Sequence, residues 1–205
     1  MSAKTSRHKE IERKFDVVEA TVSPSFDGLS AVARVDRLPT QTLDAVYFDS
    51  PGHDLARNRI TLRRRTGGPD EGWHLKLPAG TDARTEVRTP LTDSDAVPDE
   101  LRDVVLAIVR DRPLVPVARI STIRNVQMLF GTDGTALAEF CDDQVTASAG
   151  PDDEQQWREW ELELAENCDD VDLLTRLGNR LLDAGAAPAG HGSKLARVLA
   201  AVRPA

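Results

Sequence analysis

Trp157-Arg-Glu-Trp-Glu161-Leu-Glu163-Leu164 decides how this chain folds. Successive side chains of a strand point to opposite faces. Glu159, Glu161 and Glu163 therefore share one face, and Trp160, Leu162 and Leu164 share the other. Three carboxylates in a row suit neither a helix stripe nor an ordinary wet sheet face, which favours Thr, Ser and pairs of mixed sign. Like charges opposite one another across strands are destabilising.

The same pattern recurs elsewhere. Glu10, Glu12 and Lys14 lie opposite Ile11 and Phe15; Arg63 and Arg65 lie opposite Leu62; Lys76 lies opposite Leu75 and Leu77; Arg84, Glu86 and Arg88 lie opposite Val87. Two arrangements accommodate such strands. In one, the charged faces are solvated, as in any amphipathic antiparallel sheet. In the other, the sheet closes so that charged faces line an interior and apolar faces pack under outer helices. The carboxylate row, set against arginines at matching spacing, favours the second. About eight strands is also the size at which a barrel holds one small ligand.

Working outward, period-2 alternation predicts eight strands, at about 9–18, 43–50, 58–66, 72–79, 84–91, 117–130, 134–147 and 156–165. Helical spacing predicts helices over Pro98–Val109, Asp172–Ala184 and Ser193–Val202, and a short one near Ser25–Ala33. Strands with helices inserted late give an α+β class: an eight-stranded antiparallel β-barrel with outer helices. The 205 residues read as a single domain over about 8–202, with 203–205 as the start of a linker.

Composition narrows the function. Lys and Arg number 26 against 34 Asp and Glu, and the net charge of −8 argues against a protein that coats nucleic acid. Five arginines crowd between Arg57 and Arg65, whereas ten acids and one base lie between Asp152 and Asp172. No apolar run is long enough to span a bilayer, and the first residues lack the apolar core of a signal peptide, so a soluble, cytoplasmic protein with no membrane partner is expected. Cys141 and Cys168 are too few for a disulfide framework, and the four histidines lack metal spacing. His74 reads as a surface or supporting group, and Trp73, Trp157 and Trp160 as packing of the outer wall. Arg and Lys bind phosphate oxygens, and carboxylates without His or Cys hold hard divalent cations. Together they describe a metal-bound polyphosphate. Arg65-Thr-Gly-Gly-Pro-Asp70 reads as a hairpin turn and not as a Walker loop.

These residues also carry a resemblance. Glu10-Ile-Glu12-Arg-Lys14 resembles the N-terminal ExExK signature of the CYTH superfamily, the triphosphate tunnel metalloenzymes. Tyr47-Phe-Asp-Ser50 resembles the family's YFDT strand, Ile60-Thr-Leu-Arg63-Arg-Arg65 its LRxR hairpin, and Trp73-His-Leu-Lys76 its LTLK strand. Arg84-Thr-Glu86, Thr122-Ile-Arg124, Cys141-Asp-Asp143-Gln-Val145, Glu161-Leu-Glu163 and Gly192-Ser-Lys194 follow in family order, so the likeness runs from Glu10 to Lys194.

The resemblance implies a lumen that binds a triphosphate through Lys14, Arg63, Arg65, Lys76, Arg84, Glu86, Arg124 and Lys194. Arg119 is included only if a bulge turns it inward, because alternation sets it opposite Arg124. It further implies Mg²⁺ or Mn²⁺ on Glu10, Glu12, Asp143, Glu161 and Glu163; Asp142 competes with Asp143, which the spacing to Val145 favours. Lys76, Tyr47 and Glu12 are candidates to place or deprotonate the attacking water. The implied activity is hydrolysis of inorganic tripolyphosphate, as in bacterial members that carry a C-terminal helical CHAD-type domain. Class IV adenylate cyclase, thiamine triphosphatase and a non-catalytic polyphosphate or nucleotide binder are the alternatives. An aromatic content of 4% supplies few rings to stack on a purine or a thiamine.

Overall fold

The computed structural model describes residues 5–151 and 153–201. Val202 and the linker expected at 203–205 lie outside them. The barrel strands are β1 (Ser6–Val17), β3 (Gln41–Asp49), β4 (Thr61–Thr66), β5 (Gly72–Pro78), β6 (Ala83–Thr89), β7 (Val115–Phe130), β8 (Ala136–Ser148) and β9 (Gln155–Leu164). They pair antiparallel in the order β1-β6-β5-β4-β3-β7-β8-β9, and β9 returns to β1. β1 makes the closure alone: Ser6–Ile11 pair with β6, and Glu12–Val17 with β9. All eight predicted strands are present. Two short additions are β2 (Arg34–Arg37), which pairs with β7, and β10 (Ala187–Pro188), which pairs with β1.

Two helices cover the wall. α2 (Asp99–Val109) seats Leu101, Val105 and Val109 on the outward residues Phe48, Leu62, Trp73, Leu75 and Val87. α3 (Val171–Asp183) seats Leu173, Leu174, Leu177 and Leu181 on Phe15, Phe140, Trp160, Leu162 and Leu164. At roughly 1.5–3 kcal/mol per fully buried large apolar side chain, these two layers are the main source of stability. The Asp170 carboxylate caps α3 by accepting from the Leu173 N–H at 2.8 Å. Asp49, at the end of the Tyr47-Phe-Asp stretch, accepts from the N–H groups of Ser50, Leu55 and Ala56 and fixes α1 (Asp54–Arg57).

α4 (Lys194–Ala201) departs from the expected outer position. Its Leu195 and Val198 pack on Ala45, Tyr47, Ala118, Ile120, Val145 and Ala147, all on the inward faces of β3, β7 and β8. At this end the lumen carries alanines and aliphatic residues instead of charges, and the three alanines make room for a helix. α4 therefore plugs one end of the barrel. Trp157 belongs to this plug and not to the outer wall: it shares the inward face of β9, packs in the α4 cluster and donates its indole N–H to Glu159 at 2.5 Å.

No helix forms near Ser25–Ala33. Ser25 instead hydrogen-bonds Asp27 through its own hydroxyl, and Gly28 adopts φ +79°, so a local turn competes successfully with helical bonding.

Candidate functional site

Strand parity places the charged faces inside, around a cavity of about 380 Å³. From β1 come Glu10, Glu12 and Lys14; from β4, Arg63 and Arg65; from β5, Lys76; from β6, Arg84, Glu86 and Arg88; from β7, Arg124; from β9, Glu161 and Glu163; and from the start of α4, Lys194. Among the described residues Tyr47 is the only Phe, Trp or Tyr side chain that lines it. Asp143 reaches the same group of charges, fully buried behind Arg124.

Arg119 does not join them. It is exposed on the outer wall, beside Asp44, Arg64 and Thr146. The one register shift between β3 and β7 lies at Tyr47/Phe48, opposite Ala118 and Pro116, before Arg119 in the chain. No bulge separates residues 119 and 124, so alternation keeps them on opposite faces. Asp142, the alternative to Asp143, also faces outward and is bound by Arg158 at 2.6 and 2.8 Å.

Inside, cations and carboxylates interleave. Lys14 Nζ lies 2.6 Å from Glu12 and 2.8 Å from Glu161. Lys76 Nζ lies 2.6 Å from Glu10 and 3.8 Å from Glu86. Arg124 holds Asp143 with two bonds of 2.7 and 2.6 Å and reaches Glu161 at 2.6 Å. Lys194 Nζ sits among Asp143, Glu159 and Glu161 at 2.8, 2.7 and 2.8 Å. Arg84 is tied to the protein itself: its guanidinium donates to the carbonyls of Gly192 at 2.7 Å and Arg59 at 3.2 Å, and lies 3.4 Å from Glu12. Glu86, fully buried, accepts from His74 at 2.8 Å and from Arg88. His74 is thus a supporting group inside the wall and not a surface one.

Arg63 stands apart. Among the described residues it makes no ion pair with a carboxylate; it donates to the Tyr47 hydroxyl at 3.3 Å, and its Nε is buried with no partner. A guanidinium held inside a barrel wall without a carboxylate partner is a ready anion site.

The electrostatics follow from burial and neighbours. Burial alone would lower Lys14 and Lys76, but Glu12 with Glu161 and Glu12 with Glu10, respectively, outweigh it and raise both, so each is held as an ammonium. Lys76 is therefore suited to donate to a phosphate oxygen and not to take a proton from water. Burial would raise Glu12, yet Lys14 and Lys76 hold it at about 2. Arg65 is lowered to about 10 by burial and by the Arg63 charge beside it. Glu163 is pushed up to about 8 by burial and by Glu10 and Glu12, which outweigh the pull of Lys76.

Glu163 tests whether a cation fits. It stands directly across from Glu12 on β1 and from Glu139 on β8, three carboxylates abreast, and makes no ion pair among the described residues. Lys14 and Arg84 neutralise Glu12 but leave Glu163 without a cation, and an all-oxygen donor set of this kind suits Mg²⁺ or Mn²⁺. Glu10 and Glu12 are held by Lys76 and Lys14, so Glu163 is the carboxylate of this group left open to a cation. The second carboxylate cluster, Asp143, Glu159 and Glu161, brings one oxygen from each within 4.8 Å of the others, but Lys194 already occupies its centre.

A pH prediction follows for the metal-free protein. An unfolded glutamate releases its proton near 4.5, whereas folded Glu163 keeps its own until about 8. Between these values the folded state holds the extra proton, so stability falls as pH rises through the window, by on the order of a few kcal/mol. Glu163→Gln should flatten this slope and exceed the wild type in stability at about pH 9. Denaturant unfolding in chelator at about pH 5 and about pH 9 measures it, and identical slopes would refute the assignment.

Sequence reasoning missed Glu139, Asp70 and His74 as members of this region, and it set Glu159 on the charged face without giving it a role. Parity with Asp143 and Glu161 points to Glu139 and Glu159; Asp70 and His74 depend on the hairpin's three-dimensional path.

A closed barrel, plugged at one end and lined by alternating cations and carboxylates, defines a charged tunnel. The chain belongs to the CYTH domain family, whose sequence model matches residues 8–183. The Mycobacterium tuberculosis proteins MT2285 (strain CDC 1551 / Oshkosh) and Rv2226 (strain ATCC 25618 / H37Rv) are 68% identical to it over 213 aligned residues. The alignments cover 97% of this chain and 42% of each relative, so the chain spans less than half of their length. Solved structures share the fold. Protein bh2851 of Bacillus halodurans, described as a candidate adenylate cyclase, superposes with a TM-score of 0.63 at 18% identity, covering 93% of this chain and 97% of its own. HpAC1 of Hippeastrum, described as a candidate adenylyl cyclase with a dominant triphosphatase activity, gives 0.55 at 14% identity over 94% and 95%. At these identities the likeness is one of fold.

Proposed function

We propose that the chain is a divalent-metal-dependent hydrolase of inorganic tripolyphosphate. The observation that carries this reading is Arg63, a guanidinium without a carboxylate partner inside a lumen where Lys14, Lys76, Arg65 and Arg124 are also gathered. Phosphoryl transfer is mainly positioning and charge neutralisation. These residues would grip successive phosphates, and Lys194, at the mouth of the plug, would meet the innermost one. When bound on Glu10, Glu12 and Glu163, Mg²⁺ or Mn²⁺ would supply Lewis-acid neutralisation of phosphoryl oxygens. Tyr47, hydrogen-bonded to Arg63 and lowered by that charge against the effect of burial, is positioned to orient a water beside the phosphate.

An inorganic substrate is favoured over a nucleotide or thiamine ester by the lining, in which Tyr47 offers the single large ring and is already engaged by Arg63. The triphosphatase activity described for HpAC1 supports the reaction class. Among the described residues no helix is long and apolar enough to cross a membrane, which is compatible with the cytoplasmic location we propose. The greater length of the mycobacterial relatives leaves room for the CHAD-type helical partner that we propose for chains of that size.

Phosphate release from tripolyphosphate, ATP and thiamine triphosphate, each with Mg²⁺, Mn²⁺ or chelator, tests the proposal. Tripolyphosphate with metal should be turned over fastest, and chelator should abolish release. Full turnover in excess chelator, or a clear preference for an organic triphosphate, would sink it.

A further inference from the structure

We propose that Asp70 is a built-in competitor for the phosphate site: it occupies Arg65 in the unliganded protein, and a ligand must displace it. The inference rests on the triphosphate reading of the lumen. Lys14, Lys76, Arg88, Arg124 and Lys194 are paired with carboxylates fixed on barrel strands. Arg65 is different. Its ion pair is with Asp70, in the turn between β4 and β5, and Asp70 lines the cavity with its side chain 34% exposed while Arg65 is 5% exposed.

The turn's backbone is held from two sides. Gly67 and Gly68 both adopt φ +77°, and a Cβ on Gly67 would lie 2.2 Å from the Thr42 carbonyl oxygen, so the turn lies hard against β3. On the other side, His74, 1% exposed, places Nε2 2.9 Å from the Asp70 carbonyl oxygen and Nδ1 2.8 Å from Glu86. What remains free to move is the Asp70 carboxylate, which a rotation of its side chain would swing off Arg65. Burial of Arg65 beside Arg63 explains why an anion is kept there at rest: two guanidiniums on one face of β4 repel each other when neither is paired.

A carboxylate with one negative charge sets a threshold. An ion that brings a single weak contact gains little by displacing it, whereas a triphosphate anchored by Arg63, Lys14 and Lys76 gains Arg65 as well. When only a fraction of the protein has its site open, the apparent dissociation constant rises by the inverse of that fraction. Removing the competitor removes this penalty.

Calorimetric titration of tripolyphosphate into the whole chain in chelator, where turnover is absent, tests the inference. Asp70→Asn should tighten binding by about tenfold, as expected if about one molecule in ten is open at rest. Orthophosphate should gain by a similar factor. Asp70→Glu, which keeps the carboxylate, should bind closer to the wild type than Asp70→Asn does. In an Arg65→Gln background, Asp70→Asn should have no effect on affinity, which a merely structural turn residue would not produce. Unchanged or weaker binding by Asp70→Asn, with Arg65 intact, would overturn the inference while leaving the lumen's triphosphate reading in place. Absence of tripolyphosphate binding by the wild type would overturn both.

Discussion

Arg63→Ala should lower tripolyphosphate turnover by about 10²–10³-fold, the range typical for removal of one preorganised group that stabilises transition-state charge. The loss should exceed that from any other single cation of the lumen. Lys14, Lys76, Arg124 and Lys194 each divide their charge among carboxylates of the barrel, whereas Arg63 has none to neutralise. Its charge is fully available to the ligand. The effect on stability should be small by comparison. Repulsion from Arg65 and an unsatisfied buried Nε oppose the pull of Tyr47, Glu86 and Asp70, which together favour the Arg63 charge, so the Ala variant should melt near the wild-type temperature. Arg63→Lys, which restores a charge without the fork, should recover part of the rate. Steady-state kinetics and thermal unfolding measure the two effects together. A variant that unfolds while its folded fraction retains full turnover would place Arg63 outside the site.

That division between function and stability was written into alternation. A strand such as Glu159–Leu164 needs its apolar residues against something and its charges away from it, and only closure satisfied eight such strands at once. The parity that built the barrel also sorted Arg63, Arg65, Lys76 and Glu161 to the inside and Arg119 to the outside. What alternation does not carry is which surface an amphipathic helix will choose. Leu195 and Val198 announce an apolar face, but nothing local says that Ala45, Ala118 and Ala147 leave a hole at the end of the lumen for it to fill. Trp157 was misplaced for the same reason, since its inward face becomes apolar only where α4 arrives. The segment near Ser25–Ala33 shows the reverse failure. Its helical spacing is weak, and a side-chain hydrogen bond from Ser25 to Asp27, with Gly28 in a left-handed conformation, was enough to divert it. Motifs also draw attention to themselves at the expense of neighbours. Glu139 shares the face of Asp143 and stands beside Glu163, yet it belongs to none of the quoted family signatures.

Lys194→Ala should be the most destabilising change to a charged residue of the lumen, and divalent metal should reverse part of the loss. Lys194 is 8% exposed and touches three carboxylates at 2.7–2.8 Å. Removing one partner of a buried ionic cluster leaves uncompensated charge, which costs about 3–5 kcal/mol. For a chain of this size that corresponds to a fall in melting temperature of roughly 6–20 °C in chelator. Arg124 still neutralises part of Asp143 and Glu161, so the lower half of the range is expected. The vacated centre is then a carboxylate cage, with one oxygen each from Asp143, Glu159 and Glu161 within 4.8 Å of one another. Mg²⁺ or Mn²⁺ binding there only in the folded state would restore about 2.7 kcal/mol at a hundredfold excess over its dissociation constant. Lys194→Met, which keeps the length of the side chain without its charge, should be destabilised for the same electrostatic reason and should respond less to metal, because its thioether fills the cage. The wild type should gain less from metal at this cluster than Lys194→Ala, since its ammonium is already in place. Thermal unfolding of the three proteins across a titration of metal distinguishes these outcomes. If Lys194→Ala melts with the wild type in chelator, the ammonium does not hold this end of the lumen together, and the role assigned to the start of α4 is wrong.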